Sequence, residues 1–303
     1  MRDCLDVRGP AKLNLALSVG GPDPEGMHPI AGWMATVDLH DDLELVRLPV
    51  GHPSRYAVIW HEDALRVSDI DWSVSNDLAA NAHRALEKAV GRGLSVQARI
   101  EKRIPVGGGL GGGSADAAAM LHGVNALFEL GLSTEELAEI AAPLGSDIPF
   151  LVHGGAAVVG GLGERIEPTP IPDDLHAVLV FPETFCATGP VYRRLDEMRP
   201  EAPVADDTIR ELAAGPVATE TLFNDLTSPA LDLHPEVATD RERIAEIAEA
   251  PVHLSGSGST LFVLTAGDFE ADLLANAIRE RTRLPAVAVT ATPGVTTGPI
   301  RRG

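Results

Sequence analysis

The chain alternates between short stretches with a hydrophobic residue at every second position and longer stretches with one apolar helical face. The clearest strand pattern covers residues 12–19, where leucine and valine alternate with Lys12, Asn14, Ala16 and Ser18. Residues two apart share a face of a strand, so Lys12 and Asn14 lie side by side. That polar face is either a solvated surface or part of a functional site.

The same patterns predict a mixture of strands and helices along the whole chain, and therefore an α+β fold. Further strands are predicted at 5–7, 34–39, 43–48, 56–60, 65–67, 95–100, 176–181, 260–264 and 286–289. Helices are predicted at 76–90, 115–130, from 133 to Pro143, and at 190–197, 208–214, 225–231, 236–249 and 269–282. A second glycine-rich stretch at 154–163 suggests a domain boundary. We expect an N-terminal domain over 1–160, a C-terminal domain over 161–292 and a disordered tail over 293–303.

Residues 105–119 hold six glycines within seven positions, and a run of alanines follows them. Glycine permits sharp bends and close approach of another group, and alanine favours helix. A strand, a glycine loop and a helix start together form an arrangement that binds phosphate through free N–H groups and the helix dipole. The alternative is a tight turn that only packs the helix closely.

Better-known glycine motifs do not account for this loop. Gly107, Gly109 and Gly112 satisfy G-x-G-x-x-G, but no acidic residue closes a strand about 20 residues later, as a Rossmann fold requires. The P-loop pattern fails because no lysine follows the glycines. The protein-kinase loop comes with H-R-D and D-F-G motifs, and neither is present.

The composition excludes several classes of protein. The 303 residues carry a formal net charge of −20, which disfavours nucleic acid and anionic membranes as partners. No apolar run reaches the ~20 residues of a membrane span, and the N-terminus lacks the apolar core of a signal peptide. Cys4 and Cys186 form neither a disulfide framework nor a metal motif, so we expect a cytoplasmic protein.

The chain has three lysines, and two of them lie beside candidate motifs. Lys12 lies on the polar strand face, Lys102 precedes the glycine loop, and Lys88 falls on the solvated face of a helix. Asp147 lies between a glycine turn and an apolar segment that we expect to enter a strand. Asp147 is either a catalytic carboxylate or an ordinary turn or N-cap residue.

Three ordered motifs resemble the superfamily of galactokinase, homoserine kinase, mevalonate kinase and phosphomevalonate kinase. They are the P-A-K-L-N-L stretch at 10–15, the glycine loop at 105–118 and L-S-G-S-G-S at 254–259. The resemblance implies a two-domain kinase with an N-terminal domain like ribosomal protein S5 and a ferredoxin-like C-terminal domain. It also implies that ATP and its acceptor meet between the domains.

Within that superfamily, the chain is most similar to the 4-diphosphocytidyl-2-C-methyl-D-erythritol kinase family. The similarity rests on P-A-K-L-N-L, G-G-G-L-G-G-G-S-A-D-A-A, L-G-S-D-I-P-F and N-D-L-x-x-P-A-L. It implies ATP- and Mg²⁺-dependent phosphorylation of a cytidylated sugar alcohol at its 2-hydroxyl, in the non-mevalonate route to isoprenoids. The open alternatives are another small-molecule kinase, acting on homoserine or a mevalonate-like alcohol, and a non-catalytic nucleotide-binding protein. A monomer and a homodimer are both compatible with the sequence.

The resemblance also implies roles for individual residues. Asp147 accepts the hydroxyl proton, and Lys12 favours the ionised carboxylate and stabilises charge on the moving phosphoryl group. Asn14 orients the acceptor, and the Ser114 hydroxyl reaches phosphate or Mg²⁺. The implied ATP-binding set is Lys102, Pro105, Val106, Gly107, Gly108, Gly109, Leu110, Gly111, Gly112, Gly113, Ser114 and Ala115.

The cytosine side departs from the family pattern. The family carries G-Y-H after the first strand, where this chain has Gly26, Met27 and His28. Methionine packs on a base edge but lacks the ring stacking that a tyrosine supplies. By resemblance, His28 and Tyr192 frame the cytosine, and Met27 leaves one wall of that pocket altered.

Overall fold

The computed structural model describes residues 3–302, which form two β-sheets and nine α-helices. The strands are β1 (Cys4–Val19), β2 (Ile30–Arg47), β3 (Arg55–Trp60), β4 (Val96–Lys102), β5 (Ala156–Gly161), β6 (Arg165–Thr169), β7 (His176–Val180), β8 (His253–Leu254), β9 (Leu261–Thr265), β10 (Ala286–Thr290) and β11 (Thr296–Thr297). The helices are α1 (Leu78–Val90), α2 (Gly112–Leu127), α3 (Thr134–Ala141), α4 (Ile148–His153), α5 (Thr188–Met198), α6 (Asp206–Ala213), α7 (Thr227–Leu233), α8 (Pro235–Ala248) and α9 (Asp268–Thr282).

The two strands predicted at 5–7 and 12–19 form one continuous strand, β1. Pro10 interrupted the sequence pattern, but it sits where the register between β1 and β2 shifts. Proline is tolerated at such irregularities because the ladder hydrogen bond is already interrupted there. Strand β2 likewise joins the segments predicted at 34–39 and 43–48.

The larger sheet has seven strands in the order β11-β1-β2-β4-β3, with β5 paired to β2 and β6 paired to β5. The first half of β2 pairs with β5 and its second half pairs with β4. Strands β3 and β4 are parallel and are joined through α1. The glycine loop therefore connects the end of β4 directly to the start of α2.

Helix α2 lies against this sheet and buries most of its surface. Ala117, Ala118, Ala119 and Met120 are fully buried. Small alanine side chains let a helix lie close to a sheet, so its N-terminus and the glycine loop are held against β1. This packing places the predicted phosphate site beside Lys12.

The smaller sheet has the antiparallel order β10-β7-β9-β8. Strands β7, β8, β9 and β10 are the first to fourth strands of this sheet in chain order, and their spatial order is 4-1-3-2. Helices α5–α8 connect the first two strands and α9 connects the last two, which is the ferredoxin-like arrangement. The predicted α+β class with a ferredoxin-like C-terminal domain is confirmed.

The structure differs from the predicted domain limits at two places. Strand β6 pairs with β5, so the larger sheet continues to residue 169, beyond the boundary at 160. The segment expected to be a disordered tail instead contributes β11, which pairs with β1, and Arg301 forms an ion pair with Asp6. Backbone pairing with a sheet edge orders this tail despite its polar, proline-containing sequence.

Two local predictions were also wrong. Residues 65–67 are not a strand but part of the irregular connection between β3 and α1. The segment after Asp147 forms α4 rather than a strand, with Pro149 in its first turn, where a missing N–H costs nothing. A segment of six residues, five of them apolar, does not distinguish a buried strand from a buried helical turn.

The predictions for Lys88 and for the two cysteines agree with the structure. Lys88 is exposed on α1, and Cys4 and Cys186 are both free. Among residues 3–302, no helix combines the length and the apolar character that crossing a bilayer would require.

Buried histidines make folding stability depend on pH. Burial lowers the pKa of His83 and of His122 below the ordinary value of 6.5, and burial together with nearby Arg241 lowers the pKa of His253 to about 4. His83 is completely buried, and its ring nitrogens contact the Tyr56 hydroxyl and the Leu94 carbonyl. Charging any of these rings favours the unfolded chain, in which the proton binds more tightly.

We expect the free energy of unfolding to be fully present above pH 6.5 and to fall as the pH drops from there towards 4. His253 alone should contribute a loss of roughly 1–3 kcal/mol over that range. Burial raises the pKa of Asp116, which offsets part of the loss because the folded state then binds that proton more tightly.

Urea unfolding at several pH values measures this dependence. His253→Gln should make the free energy of unfolding depend less on pH. His52→Gln, at an exposed histidine, should leave that pH dependence unchanged. A curve that is equally steep in the His253→Gln protein would contradict the assignment.

Candidate active site

A cavity of about 520 Å³ lies between the two sheets and is bordered by the glycine loop. Its walls come from β1, β2, the start of α2, the residues before α4, the segment before α5 and the loop after β8. Lys12, Asn14, Asp147, Ser114 and Tyr192 all line it. The structure therefore brings together residues that are up to 180 positions apart in the chain.

Lys12 and Asn14 project from β1 into this cavity and are almost completely buried, with 4% and 2% of their surface exposed. Of the two alternatives for this polar strand face, a solvated surface is therefore excluded, because the loop after β8 covers both side chains. Lys12 Nζ donates a hydrogen bond to Asn14 Oδ1 and lies 3.7 Å from Asp147 Oδ2. A single lysine thus connects the polar strand face to the candidate base.

Asp147 holds the N-cap position of α4, but its carboxylate makes no capping hydrogen bond to that helix. The ordinary structural role of an N-cap aspartate is thus not used here. Its side chain is about 31% exposed and faces the cavity, whereas Ile148 and Phe150 behind it are buried. The helix start fixes the backbone and leaves the carboxylate available to a ligand.

The glycine loop is held against the serine–glycine loop, residues 255–259. Ser255 Oγ donates to the Gly109 carbonyl at 3.0 Å, and the Asn14 N–H donates to Ser255 Oγ at 3.3 Å. The Thr260 N–H donates to the Gly108 carbonyl at 3.1 Å. These bonds join the two domains across the floor of the cavity, so the serine–glycine loop has a defined structural role.

The motif N-D-L-x-x-P-A-L, residues 224–231, stabilises the serine–glycine loop. The Asn224 amide donates to the carbonyls of Leu254 and Gly256, at 2.9 and 2.7 Å. Asp225 accepts the Val19 N–H at 2.9 Å. These residues fix the serine–glycine loop to the end of β1 and do not line the cavity, so they position the site.

Lys102 lines the cavity, but its ammonium is bound by two carboxylates. Its Nζ lies 2.6 Å from Asp41 Oδ2 and 2.5 Å from Asp116 Oδ2, and all three side chains are buried. Burial opposes the charge of Lys102, yet the two carboxylates outweigh it and raise the pKa of that ammonium. Contact between Lys102 and a nucleotide stays a prediction, and the structure adds a stabilising role.

Asp41 and Asp116 connect this lysine to both ends of the glycine loop. Asp41 Oδ1 accepts the N–H groups of Arg103 and Ile104, immediately before the loop. Asp116 lies in the first turns of α2, and its Oδ1 has no hydrogen-bond partner among residues 3–302. Burial raises the pKa of Asp116 well above its ordinary value, against the attraction of Lys102. The two carboxylates outnumber the single ammonium, and burial therefore favours the protonated form of Asp116.

His28 and Tyr192, which were predicted to frame a base, are in contact. Their ring centroids are 5.0 Å apart with an angle of 60° between the planes. One ring nitrogen of His28, Nδ1, lies 2.9 Å from the Gly20 carbonyl, which sets the orientation of the ring. Burial and the charge of Asp147 raise the pKa of Tyr192 to about 12, so its hydroxyl is neutral near pH 7.

The structure separates the predicted ATP-binding residues into two groups. Leu110 and Ala115 are completely buried beneath the loop, and the Leu110 carbonyl accepts the Lys12 N–H. The others line the cavity: Pro105, Val106, Gly107, Gly108, Gly109, Gly111, Gly112, Gly113 and Ser114.

Sequence reasoning missed several residues of the site. Asp41 stood in no motif, and Asp116 was only part of the glycine-loop motif without a role of its own, although a buried lysine requires acidic partners. The apolar end of the cavity, beside Tyr192, is formed by Leu17, Ile30, Met34 and Leu226. In the sequence, the hydrophobic residues at those positions indicated only packing in the core. Trp72 and Phe185 also line the cavity from segments without regular secondary structure.

Gly109 should be required for both the fold and the site. Its φ is +76°, and a β-carbon there would lie 2.1 Å from the Ser255 carbonyl oxygen. We expect Gly109→Ala to separate the two loops, to raise the KM for ATP by at least about tenfold and to lower Tm.

Gly51 provides a matched control, since its φ is +84° and no atom lies within 4 Å of a β-carbon there. Gly51→Ala should cost only the conformational strain of about 1 kcal/mol and leave the KM unchanged. Equal effects of the two substitutions in steady-state kinetics and thermal melts would contradict the packing argument.

The two-domain fold, with a glycine loop at a helix start beside a lysine and an aspartate, is that of a small-molecule kinase of the GHMP class. A sequence profile described as "GHMP kinases N terminal domain" matches residues 77–155. A protein named "4-diphosphocytidyl-2-C-methyl-D-erythritol kinase" from Geobacillus kaustophilus (strain HTA426) is 37% identical over 280 residues, covering 91% of this chain and 93% of that protein. The chain belongs to the 4-diphosphocytidyl-2-C-methyl-D-erythritol kinase family.

A second relative and the solved structures agree with this assignment. A protein of the same name from Bacillus velezensis is 38% identical over 280 residues, covering 90% of this chain and 92% of that protein. A crystal structure of 4-(cytidine 5'-diphospho)-2C-methyl-D-erythritol kinase superposes with a TM-score of 0.73 at 31% identity, over 95% of this chain and all of that one. A homoserine kinase from Cytophaga hutchinsonii superposes with a TM-score of 0.72 at 18% identity, covering 98% of each chain, which shows a shared fold alone.

Proposed function

We propose that this protein transfers the γ-phosphoryl group of ATP to the 2-hydroxyl of 4-diphosphocytidyl-2-C-methyl-D-erythritol. The observation that carries this proposal is the convergence of Lys12, Asn14 and Asp147 beside the glycine loop in one cavity, within a chain of this family. Phosphoryl transfer depends mainly on positioning and on stabilising charge, and this cavity supplies both.

The glycine loop holds the phosphates in this proposal. Its backbone N–H groups and the start of α2 present partial positive charge, although no lysine follows the glycines. Lys12 supplies the full positive charge instead, and a β-carbon at Gly111 would lie only 3.1 Å from Lys12 Cγ. A γ-phosphate at this point of the loop is therefore next to an ammonium that stabilises its transfer.

Asp147 accepts the proton of the attacking hydroxyl. It lies 3.7 Å from the Lys12 ammonium, at the edge of the cavity that remains partly exposed. The same carboxylate orients the hydroxyl towards phosphorus while it accepts the proton. The Asn14 side chain accepts a hydrogen bond from Lys12 and so fixes the direction of the ammonium.

Magnesium enters this proposal with the nucleotide. Mg²⁺ prefers oxygen ligands and is usually held by substrate phosphates together with one or two protein groups. The cavity offers the Ser114 hydroxyl at the start of α2, an oxygen donor that fits the ion beside the phosphates. Bound there, Mg²⁺ would neutralise phosphate charge during transfer.

The acceptor occupies the end of the cavity formed by Tyr192 and the apolar side chains beside it. Tyr192 presents a ring and a neutral hydroxyl, and His28 supports that ring from the side. Met27 is 51% exposed, so it does not form a closed wall at the position where the family pattern G-Y-H has tyrosine. We therefore expect the cytosine to be held mainly by Tyr192 and His28.

A test of this function measures ADP release with ATP, Mg²⁺ and one candidate acceptor at a time. Release that depends on 4-diphosphocytidyl-2-C-methyl-D-erythritol, with phosphate located on its 2-hydroxyl by NMR, supports the proposal. Release with homoserine or a mevalonate-like alcohol in its place would assign a different acceptor. Absence of release with all three acceptors, while ADP still binds, would instead indicate a non-catalytic nucleotide-binding protein.

A further inference from the structure

The C-terminal segment, residues 291–302, crosses from the smaller sheet to the larger one. It begins directly after β10, where the Ala291 N–H donates to the Leu175 carbonyl at 3.3 Å. The next residue, Thr292, already reaches the other domain, since its N–H donates to the Thr36 carbonyl on β2 at 2.9 Å. The C-terminal segment then continues to the edge of β1 as β11. Its backbone at residue 292 is therefore a direct link between the two domains.

Thr36 joins this segment to the end of α4. The side chain is completely buried, and its hydroxyl donates to the Thr292 carbonyl at 2.6 Å while it accepts the Gly155 N–H at 3.0 Å. The Thr36 N–H also donates to the Gly155 carbonyl at 2.8 Å. Gly154 and Gly155 form the turn between α4 and β5. One threonine on β2 therefore binds both the C-terminal segment and the turn that ends α4.

The C-terminal segment also contacts this turn directly. A β-carbon at Gly154 would lie 2.6 Å from Gly294 Cα, and a β-carbon at Gly294 would lie 2.7 Å from Gly154 Cα. Both residues have positive φ, +68° and +118°. Only glycine permits two backbones to approach so closely in these conformations. The C-terminal end of α4 is thus held against the C-terminal segment without intervening side chains.

The other end of α4 carries the candidate base. The helix has six residues and rises only about 9 Å, with Asp147 at its N-cap. Thr36 is also the residue that pairs with Lys12 across β1 and β2. Lys12 Nζ and Asp147 Oδ2 are 3.7 Å apart. The strand position that carries the ammonium and the helix that carries the carboxylate are therefore both fixed relative to Thr36.

We propose that Thr36 is a positioning residue that, with the C-terminal segment, keeps Asp147 at its working distance from Lys12. This inference rests on the proposed function in taking Asp147 as the base. A displacement of about 1 Å at a reacting group can lower the rate by about 10²-fold, even when its cause lies away from the chemistry. The buried Thr36 hydroxyl faces the C-terminal segment and the α4 turn, so it acts through the helix and not on a ligand.

A purely structural role for Thr36 makes a different prediction. Ile148 and Phe150 on α4 are buried, so apolar packing already holds the sides of the helix. If that packing alone places Asp147, loss of the Thr36 hydroxyl lowers Tm and leaves the kcat of the folded enzyme unchanged. A positioning role instead acts through Asp147, so the loss of kcat must depend on the presence of that carboxylate.

The first experiment compares Thr36→Val, which keeps the shape and removes the hydroxyl, with Thr36→Ser, which keeps the hydroxyl. We expect Thr36→Val to lower kcat by about tenfold or more, and Thr36→Ser to stay within about twofold of the unaltered protein. ADP affinity, measured by calorimetry, should change by no more than about twofold in either variant, because the serine–glycine loop holds the glycine loop independently.

A double-mutant cycle shows whether the effect passes through the base. In an Asp147→Asn background, Thr36→Val should lower kcat by less than about twofold, since the group that it positions is already lost. Equal losses from Thr36→Val in the two backgrounds would overturn the inference.

A second variant approaches the same contact from the C-terminal segment. Gly294→Ala places a methyl group against Gly154 Cα and should lower kcat by about tenfold, also where Thr36→Val fails to fold. Gly51→Ala is the control, because Gly51 has a φ of +84° and no atom lies within 4 Å of a β-carbon there. Equal kcat values for the two glycine variants would contradict the proposal.

Crystal structures of the Thr36→Val and Gly294→Ala proteins test the geometry without any turnover. We expect the separation of Lys12 Nζ and Asp147 Oδ2 to increase by about 1 Å in both. An unchanged separation would overturn the inference. This measurement needs no acceptor, so a wrong assignment of the acceptor, seen as absent turnover in the unaltered protein, contradicts the proposed function alone.

Discussion

Asp147→Asn should reduce kcat by about 10²–10⁴, because the amide keeps the shape of the carboxylate but cannot accept the hydroxyl proton. The Asp147 side chain makes no capping bond to α4, so the substitution should not disturb that helix. Steady-state kinetics with the cytidylated acceptor measures kcat, and calorimetry measures ADP binding. We expect ADP affinity to change by no more than about twofold, since the loss lies in transfer rather than in binding.

Asp173→Asn is the control for this experiment, because Asp173 is exposed and does not line the cavity. Its kinetics should match those of the unaltered protein. Lys12→Met should also lower kcat strongly, by about 10²–10³, because it removes the charge next to the transferred group. Turnover that survives Asp147→Asn would remove Asp147 from the chemistry and leave positioning by Lys12 and the loop as the source of catalysis.

Lys102→Met should destabilise the protein by about 3–5 kcal/mol, because it leaves two buried carboxyl groups without their cation. Lys102, Asp41 and Asp116 are 2%, 0% and 4% exposed, so the carboxyl groups that lose their partner are buried. Asp41 also orders the two residues before the glycine loop, so we expect the KM for ATP to rise as well. Urea unfolding at pH 7.5 measures the free energy of unfolding.

A double variant distinguishes electrostatic loss from lost packing. Adding Asp116→Asn to Lys102→Met removes one of the unpaired carboxyl groups and should recover part of the stability. Lys88→Met, at the exposed lysine of α1, should change stability by less than about 0.5 kcal/mol. No recovery in the double variant would indicate that the methylene chain of Lys102, rather than its charge, stabilises the loop.

Much of the fold followed from hydrophobic periodicity. Strand β4, the glycine loop and helix α2 were expected where they occur, because a strand pattern, a cluster of glycines and an alanine run are local signals. The failures also have local causes. The six residues after Asp147 are too short for periodicity to separate helix from strand, and β11 forms only because the edge of β1 is available to it.

Part of the candidate site could also be predicted from the sequence. Lys12, Asn14 and Asp147 were identified by residue type and motif, and they meet in one cavity. Burial of Lys12 and Asn14 was not predictable, because the residues that cover them come from the other domain. The paired carboxylates around Lys102 were missed for another reason: they belong to the same domain, but the pairing is tertiary, and Asp41 lies 61 positions from that lysine.

The sequence by itself determined the class of chemistry. Each of the three motifs, the phosphate-binding loop included, consists of consecutive residues, and the order of the motifs follows directly from the chain. Only the tertiary structure decided which charges face the ligand and which neutralise one another. Lys12 and Lys102 look equivalent in the sequence, yet one ammonium reaches into the cavity and the other is enclosed by Asp41 and Asp116. The reason is physical: a buried charge is defined by the partners around it, and those partners come from distant parts of the chain.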